Sequence, residues 1–531
     1  MKKLRIRNLI ALSSCFWIGA FLFQPELVFA EPPSFSTFFK HPIPMNHRDN
    51  GIVFCGQFYP LSTTSIICSA EKLNSLEGLE KLTKLQEFRV TNTNPHRIYP
   101  LKLNLKPLQH LQHLRLLIIP HSGIQDLSPL ANAAELEELR LPYARIRDIA
   151  SLKNCLKLKI IDLSHCAVND LQPLGNLTQI ESLNFRACPL VSITSLQKLP
   201  HLSRLDLSQT KVIDLRPLAS LAQLKELKFA ESQIKSLSPV LNLSIFQSAK
   251  SLDLSGLPLE DLQGFEQLKN IESLFLDNTQ IRDLNPLKGL AGLRKLFISG
   301  TQVIDLEPIA QLSGLTELSV AKTEIKRIPA FPRLEILNAA NSFVNDLGNE
   351  KSFPCLREVN LSGSKVANLR ALAGNEFLQT AQLRQLKLES LSPLKSSPLS
   401  FLDFEGSDLN DWTSLGTLPY LSVLKLNSSS LSTLPKLACS ATLIDLQIDH
   451  TAVLDLKALS SFTQLKRLSI RGTKIKVLAP LYGCSSLVYL NAQHAAVSHA
   501  EISLLKGVFP KITAIGGSDA ALPPRRSPKK R

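Results

Sequence analysis

Nine cysteines and eleven histidines are the side chains of this 531-residue chain best suited to nucleophilic or metal chemistry. Their spacing does not assemble a site. His165 directly precedes Cys166, as a thiol–imidazole pair could, but an extended strand sends neighbours to opposite faces. His110-Leu-Gln-His113 lacks the glutamate of a zincin helix, and His494 and His499 have no carboxylate motif beside them. The chain has no glycine-rich phosphate loop, no nucleophile elbow and no paired C-x-x-C. The sequence therefore predicts no enzyme, no catalytic residue, no cofactor and no metal.

The elements that hold these residues are repeats. Leu202-Ser-Arg-Leu-Asp-Leu-Ser-Gln-Thr-Lys-Val212 returns, in variant form, at 271–281, 293–303 and 465–475. A further D-L-x-P-L usually follows. Twenty starts can be placed between residues 63 and 487, and fifteen of the nineteen intervals are 22 residues. A fixed period of this length is the signature of a solenoid. Within one repeat, leucines at positions 4 and 6, such as Leu205 and Leu207, alternate with polar residues. That period of two predicts a short strand with one buried face. Arg204, Asp206 and Ser208 should face solvent on a concave surface. Position 9, mostly Thr or Ser, should turn inward and satisfy a backbone group with its hydroxyl.

Proline in Ser128-Pro129, Asn285-Pro286 and Glu307-Pro308 suits the first residue of a short helical or 3₁₀ turn on the convex side. The aspartates of D-L-x-P-L recur with the repeat and are read as structural. One repeat cannot bury its own leucines; stacked repeats share a continuous core. The expected fold is an α/β repeat solenoid, a horseshoe or arc with a parallel sheet inside. Twenty strands about 4.8 Å apart would span roughly 95 Å. Intervals of 29, 25, 19 and 21 residues break the rhythm, and the extra residues near Phe246 and Gln247 should bulge on the convex side.

The pattern resembles the 22-residue class of bacterial leucine-rich repeats, similar to internalins and to SDS22-like proteins. Leu293 to Ile309 carries the likeness well, and it extends over residues 63–505. The resemblance implies a protein partner held along the concave sheet. Outside it, the immunoglobulin-like segment and surface anchor of internalins are not expected. SDS22-like proteins imply the alternative, an intracellular regulator of an enzyme such as a phosphatase.

Residues 1–30 read as a secretory signal. Lys2, Lys3, Arg5 and Arg7 precede an apolar run from Leu9 to Phe23, and Val28-Phe29-Ala30 offers a small-x-small cleavage site. The mature chain should begin at Glu31, exported to the periplasm, cell surface or medium, with no transmembrane span. Residues 31–62 should cap the core, 506–517 should close it, and 518–531 should form a basic disordered tail. Of the net charge of +15, +3 lies in the first 30 residues and +5 in the last seven, leaving +7 for the body. With charges of both signs on the expected concave strands, a nucleic-acid partner is not expected. The tail could touch an anionic surface weakly.

Cys55 and Cys68 flank the first repeat, and a bridge between them should cover the core end in an oxidising compartment. Cys155, Cys166, Cys188, Cys439 and Cys484 fall at core columns and read as small buried residues. The candidate partner-binding residues are Phe275 and Phe297, both at position 5 of adjacent repeats, with Lys295, Asp277 and Asn278 as their rim. Two readings stand. The rings anchor a partner, or they simply cover each other.

Overall fold

The computed structural model describes residues 50–91 and 102–517. Segments 1–30, 31–49 and 518–531, with the expected signal, the start of the cap and the basic tail, lie outside the described residues. What it describes is a leucine-rich-repeat solenoid. Each of the twenty repeat starts leads, two residues later, into a short strand, beginning with Ser65–Ser69 and ending with Tyr489–Ala492. Neighbouring strands pair in parallel with the repeats in register, as Leu274 opposite Leu296. Positions 4 and 6 face one continuous core; Leu205, Leu207, Leu274 and Leu276 are fully buried. In sixteen of the twenty repeats the convex return is a 3₁₀ turn, with proline near its start in Ser128–Leu130, Asn285–Leu287 and Glu307–Ile309.

Side-chain hydrogen bonds at fixed columns hold each turn. The aspartate before each proline accepts the N–H two residues on: Asp126 from Ser128 at 2.8 Å, Asp283 from Asn285 at 2.8 Å, Asp305 from Glu307 at 3.0 Å. The threonines of position 9 donate to the position-6 carbonyl of their own repeat, Thr210 to Leu207 at 2.6 Å and Thr279 to Leu276 at 2.8 Å. Cys166 and Cys188, in the same column, reach back to carbonyls of the previous repeat. The Oγ atoms of Ser122, Ser232 and Ser429, also at position 9, are buried without a partner.

Position 8 adopts a left-handed backbone in repeat after repeat, as at His121, Tyr143, His165, Gln209, Asn278 and His450. Such a conformation costs a non-glycine residue roughly 1–2 kcal/mol. The turn aims the position-8 N–H at the position-7 carbonyl of the next repeat, Gln209 to Ala230 and Asn278 to Ser299, both at 2.7 Å. Strand spacing and this bond repeat together, so the conformation repeats too. Ser208, expected to face solvent, is buried. Position 7 already belongs to the turn, and its N–H is taken by the position-5 carboxylate of Asp206 at 2.9 Å.

Both ends of the core are closed. An antiparallel hairpin, Gly51–Phe54 with Gln57–Pro60, precedes the first repeat. It buries Ile52 and Phe54, and Phe54 meets Phe88 edge-on. Cys55 in the hairpin turn is disulfide-bonded to Cys68 of the first repeat strand, with Cα atoms 6.0 Å apart. At the other end, a helix, His499–Val508, is capped by Ser498, and Glu501 accepts the N–H of Leu478 at 2.7 Å. The final strand, Thr513–Gly516, pairs with Tyr489–Ala492. The closing unit therefore starts inside the expected last repeat, because a ten-residue helix replaces its convex return.

The repeat strands and the closing strand form two main sheets, one of eight strands and one of thirteen. They part between Glu226–Lys228 and Ser251–Asp253, where the interval is 25 residues. The extra residues form a single helical turn, Ser244–Gln247, and bury Phe246 beside the leucines of both repeats. They therefore pack into the gap between the sheets rather than standing out on the convex face. Where the interval is 21 residues, a small parallel pair, Lys387–Ser390 with Asp408–Asp411, lies beside the main sheet. Ala339 and Ala381 occupy core columns and are fully buried.

Candidate protein-binding face

Position 5 stands in the middle of the concave strands, between two inward leucines. In eight of the twenty repeats it is not free to recognise anything, because an aspartate or asparagine there accepts the position-7 N–H. Asp162, Asp253 and Asn360 do so, at 3.0, 3.0 and 3.1 Å. Phenylalanine cannot accept this bond. At Phe297 the neighbouring repeat substitutes, and Asp277 takes the Ser299 N–H at 2.6 Å. Burial raises the Asp277 carboxyl above its ordinary value, partly offset by the Ser299 bonds. Asp277 is thus a half-buried support for the strand beneath the rings.

Phe275 and Phe297 pair across adjacent strands. Their rings stack with centroids 4.8 Å apart and planes 18° apart, a spacing that the strand repeat imposes. Both rings are half-buried. Lys295 is held by Glu317 at 2.7 Å. Asn278 is exposed and lies over Gly300, where an added Cβ would stand 2.5 Å from its Oδ1. Of the expected rim, Asn278 is therefore exposed over Gly300, Lys295 is paired, and Asp277 is engaged with the backbone. Ser319 follows the rings at position 5 and bonds Ser299 Oγ at 2.7 Å. Asn338 comes next in the column.

A second aromatic cluster escaped the sequence reading. His121, Tyr143 and His165, all at position 8, stack with centroids 4.3 and 4.0 Å apart. Their 22-residue spacing was visible, but the left-handed backbone that turns them onto one edge was not. Burial lowers the pKa of both histidines, and Arg186 lowers His165 further. Cys166 points the other way, and burial pushes its thiol up to about 11. His165 and Cys166 form no catalytic pair, since the imidazole faces Tyr143 while the thiol bonds the Leu141 carbonyl at 3.4 Å.

No family model and no curated protein matches the chain. Solved structures do. The TLR13–ssRNA13 complex aligns with 19% identity over 84% of this chain and 66% of that one, at a TM-score of 0.55. A TDR receptor aligns with 15% identity over 82% and 83%, at 0.54. An internalin, inlF of Listeria monocytogenes, aligns with 21% identity over 78% and 89%, at 0.38. The likeness to the TLR13 and TDR receptor structures establishes the leucine-rich-repeat fold. Among the described residues no helix is long and apolar enough to cross a membrane.

Proposed function

We propose that this leucine-rich-repeat chain is an exported bacterial protein-binding module that grips a partner protein along its concave sheet, anchored on Phe275 and Phe297. The stacked, half-buried ring pair carries this reading. It is an apolar pair in a concave column whose aspartates and asparagines are engaged with the backbone. Interface hot spots favour aromatics set among polar neighbours, and solenoids offer extended concave surfaces. The solved receptors of the same fold are consistent with a binding role. Export rests on the basic and apolar start of the sequence and on the Cys55–Cys68 bridge, since disulfides persist in oxidising compartments.

Two measurements test this. Crosslinking in the cell fraction that holds the protein identifies the partner. Phe275→Ala with Phe297→Ala should then lose about 2 kcal/mol or more of binding with little change in melting. Unchanged affinity leaves the rings as mere cover for each other. N-terminal sequencing of the mature protein should find Glu31 first. A cytosolic chain beginning at Met1 would instead favour the intracellular, SDS22-like regulator of an enzyme.

A further inference from the structure

The break between the two sheets leaves two strand edges facing each other without mutual bonds. From the third repeat onward, neighbouring repeats are joined by two recurring backbone bonds outside the strand ladder: position-6 N–H to position-5 carbonyl, and position-8 N–H to position-7 carbonyl. The corresponding groups here are Phe229 N–H with Asp253 C=O and Glu231 N–H with Ser255 C=O. Among the described residues none of these four has a backbone partner. The Lys225 carbonyl likewise receives neither Lys250 N–H nor Ser251 N–H. Behind the edges lies a cavity of about 50 Å³, partly open to solvent, bounded by Leu227, Phe229, Ile245, Phe246, Leu252 and Leu257.

We propose that this break is a docking slot for an extended peptide segment of a protein partner, whose main chain pairs with the free strand edges and whose apolar side chain enters the cavity. The proposal rests on the reading of the concave face as protein-binding and names the form of the bound segment. Unpaired main-chain donors and acceptors on an edge are the template for an added strand. An acyl chain could fill the cavity but would leave those groups unanswered. The charged groups at the mouth are already partnered: Lys228 with Glu226 at 2.7 Å, and Asp253 with Ser255 N–H at 3.0 Å. The mouth therefore selects a neutral segment with an apolar anchor. The slot also adjoins the aromatic pair, because Asp253 on its edge is in register with Phe275.

The test uses the full chain and fluorescein-labelled acetylated hexapeptides, each with a central Leu, Phe or Trp in a threonine background. At least one peptide should bind by fluorescence anisotropy. N-methylation of its alternate amides, which removes the edge-pairing donors, should weaken binding tenfold or more. Ala230→Phe, which fills the cavity mouth, should do the same, with Ala249→Leu as a smaller filling change should the first variant melt early. Leu454→Ala, at an exposed residue of a distant repeat, should change peptide affinity less than threefold. Loss of partner binding in the Phe275→Ala, Phe297→Ala variant alone bears on the anchor, and loss of peptide binding in the filled variants alone bears on the slot. The proposal is overturned if no peptide binds, if the N-methylated peptide binds equally well, or if the folded filled variants bind it unchanged. A fluorescent fatty acid that binds tightly and displaces the peptide would overturn it in favour of a lipid cavity.

Discussion

The eight-stranded and thirteen-stranded sheets are built from one repeat yet present different concave columns. In the first, position 5 carries Ile67, Arg89, Ile118, Arg140, Asp162, Asn184, Asp206 and Lys228, and ions pair at the surface, as Arg140 with Glu138. In the second, the column runs through Phe275, Phe297, Ser319, Asn338, Asn360 and Gln382 before charge returns at Asp403. That charge is sunk: the Asp403 side chain is 2% exposed and held by Arg384 at 2.7 Å. The core columns do not differ in the same way. Position 5 adds no side chain to the leucine core, so its chemistry can drift while positions 4 and 6 stay apolar.

If the two sheets share one kind of core, equivalent truncations should cost the same. Leu205→Ala and Leu274→Ala remove equivalent buried side chains, and each should lose about 2–5 kcal/mol in denaturant melts. A large, reproducible difference between them would show that the sheets are not energetically alike. Removing the disulfide should separate the sheets instead. Its 13-residue separation corresponds to about 3 kcal/mol of restrained unfolded chain. Because solenoid stability is a sum of neighbour terms, Cys55→Ser with Cys68→Ser should lower amide-exchange protection in the first repeats and leave the thirteen-stranded sheet unchanged. Loss of protection in both would mean that the sheets unfold as one unit despite the break.

The position-9 hydroxyls give a smaller contrast. Thr210→Val and Thr279→Val each remove a bond to a buried carbonyl and should cost about 1 kcal/mol. Ser232→Ala, beside the break, removes an Oγ with no partner and should cost nothing or stabilise slightly. Equal costs at the three positions would mean that the hydroxyl bonds contribute little.

The smallest expected effects have opposite signs in the two sheets. Hydrogen bonds from Lys159, then Arg115, hold the Glu137 carboxyl below its ordinary value. Its contribution is present above the unfolded pKa and lost as pH falls through the lowered folded value. Burial raises Asp277, so its relative stabilisation is present below the unfolded pKa and lost as pH rises through the raised folded value. Glu137→Gln should therefore destabilise near neutral pH, with the difference fading on acidification. Asp277→Asn keeps an acceptor for Ser299 and should stabilise near neutral pH, with that gain fading on acidification. Both effects should stay below about 1 kcal/mol because the groups are partly solvated. Urea melts of both variants across the acid range read the signs directly.

Every repeat strand was legible in the sequence, since leucines at positions 4 and 6 need only local alternation to declare a buried face. The stacking of Phe275 on Phe297 was legible for a related reason: equal positions in adjacent repeats must stand one strand apart. The partition of the rim residues was not. Whether Asp277 faces a partner or the Ser299 N–H depends on which residue the next repeat places at position 5. The stack of His121, Tyr143 and His165 depends on a left-handed turn that no residue type in that column demands, since His, Tyr, Gln and Gly all occupy it.

Period and apolar pattern alone determined the solenoid, its parallel sheet and its core, because each rests on contacts repeated at one fixed sequence interval. Only the tertiary structure decided that the three added residues near Phe246 would open the concave sheet. Whether an insertion bulges outward or packs into a gap depends on the side chains it meets in neighbouring repeats. Here Phe246 finds Leu227 and Leu252 around one cavity, and burial there takes the place of the backbone bonds across the break.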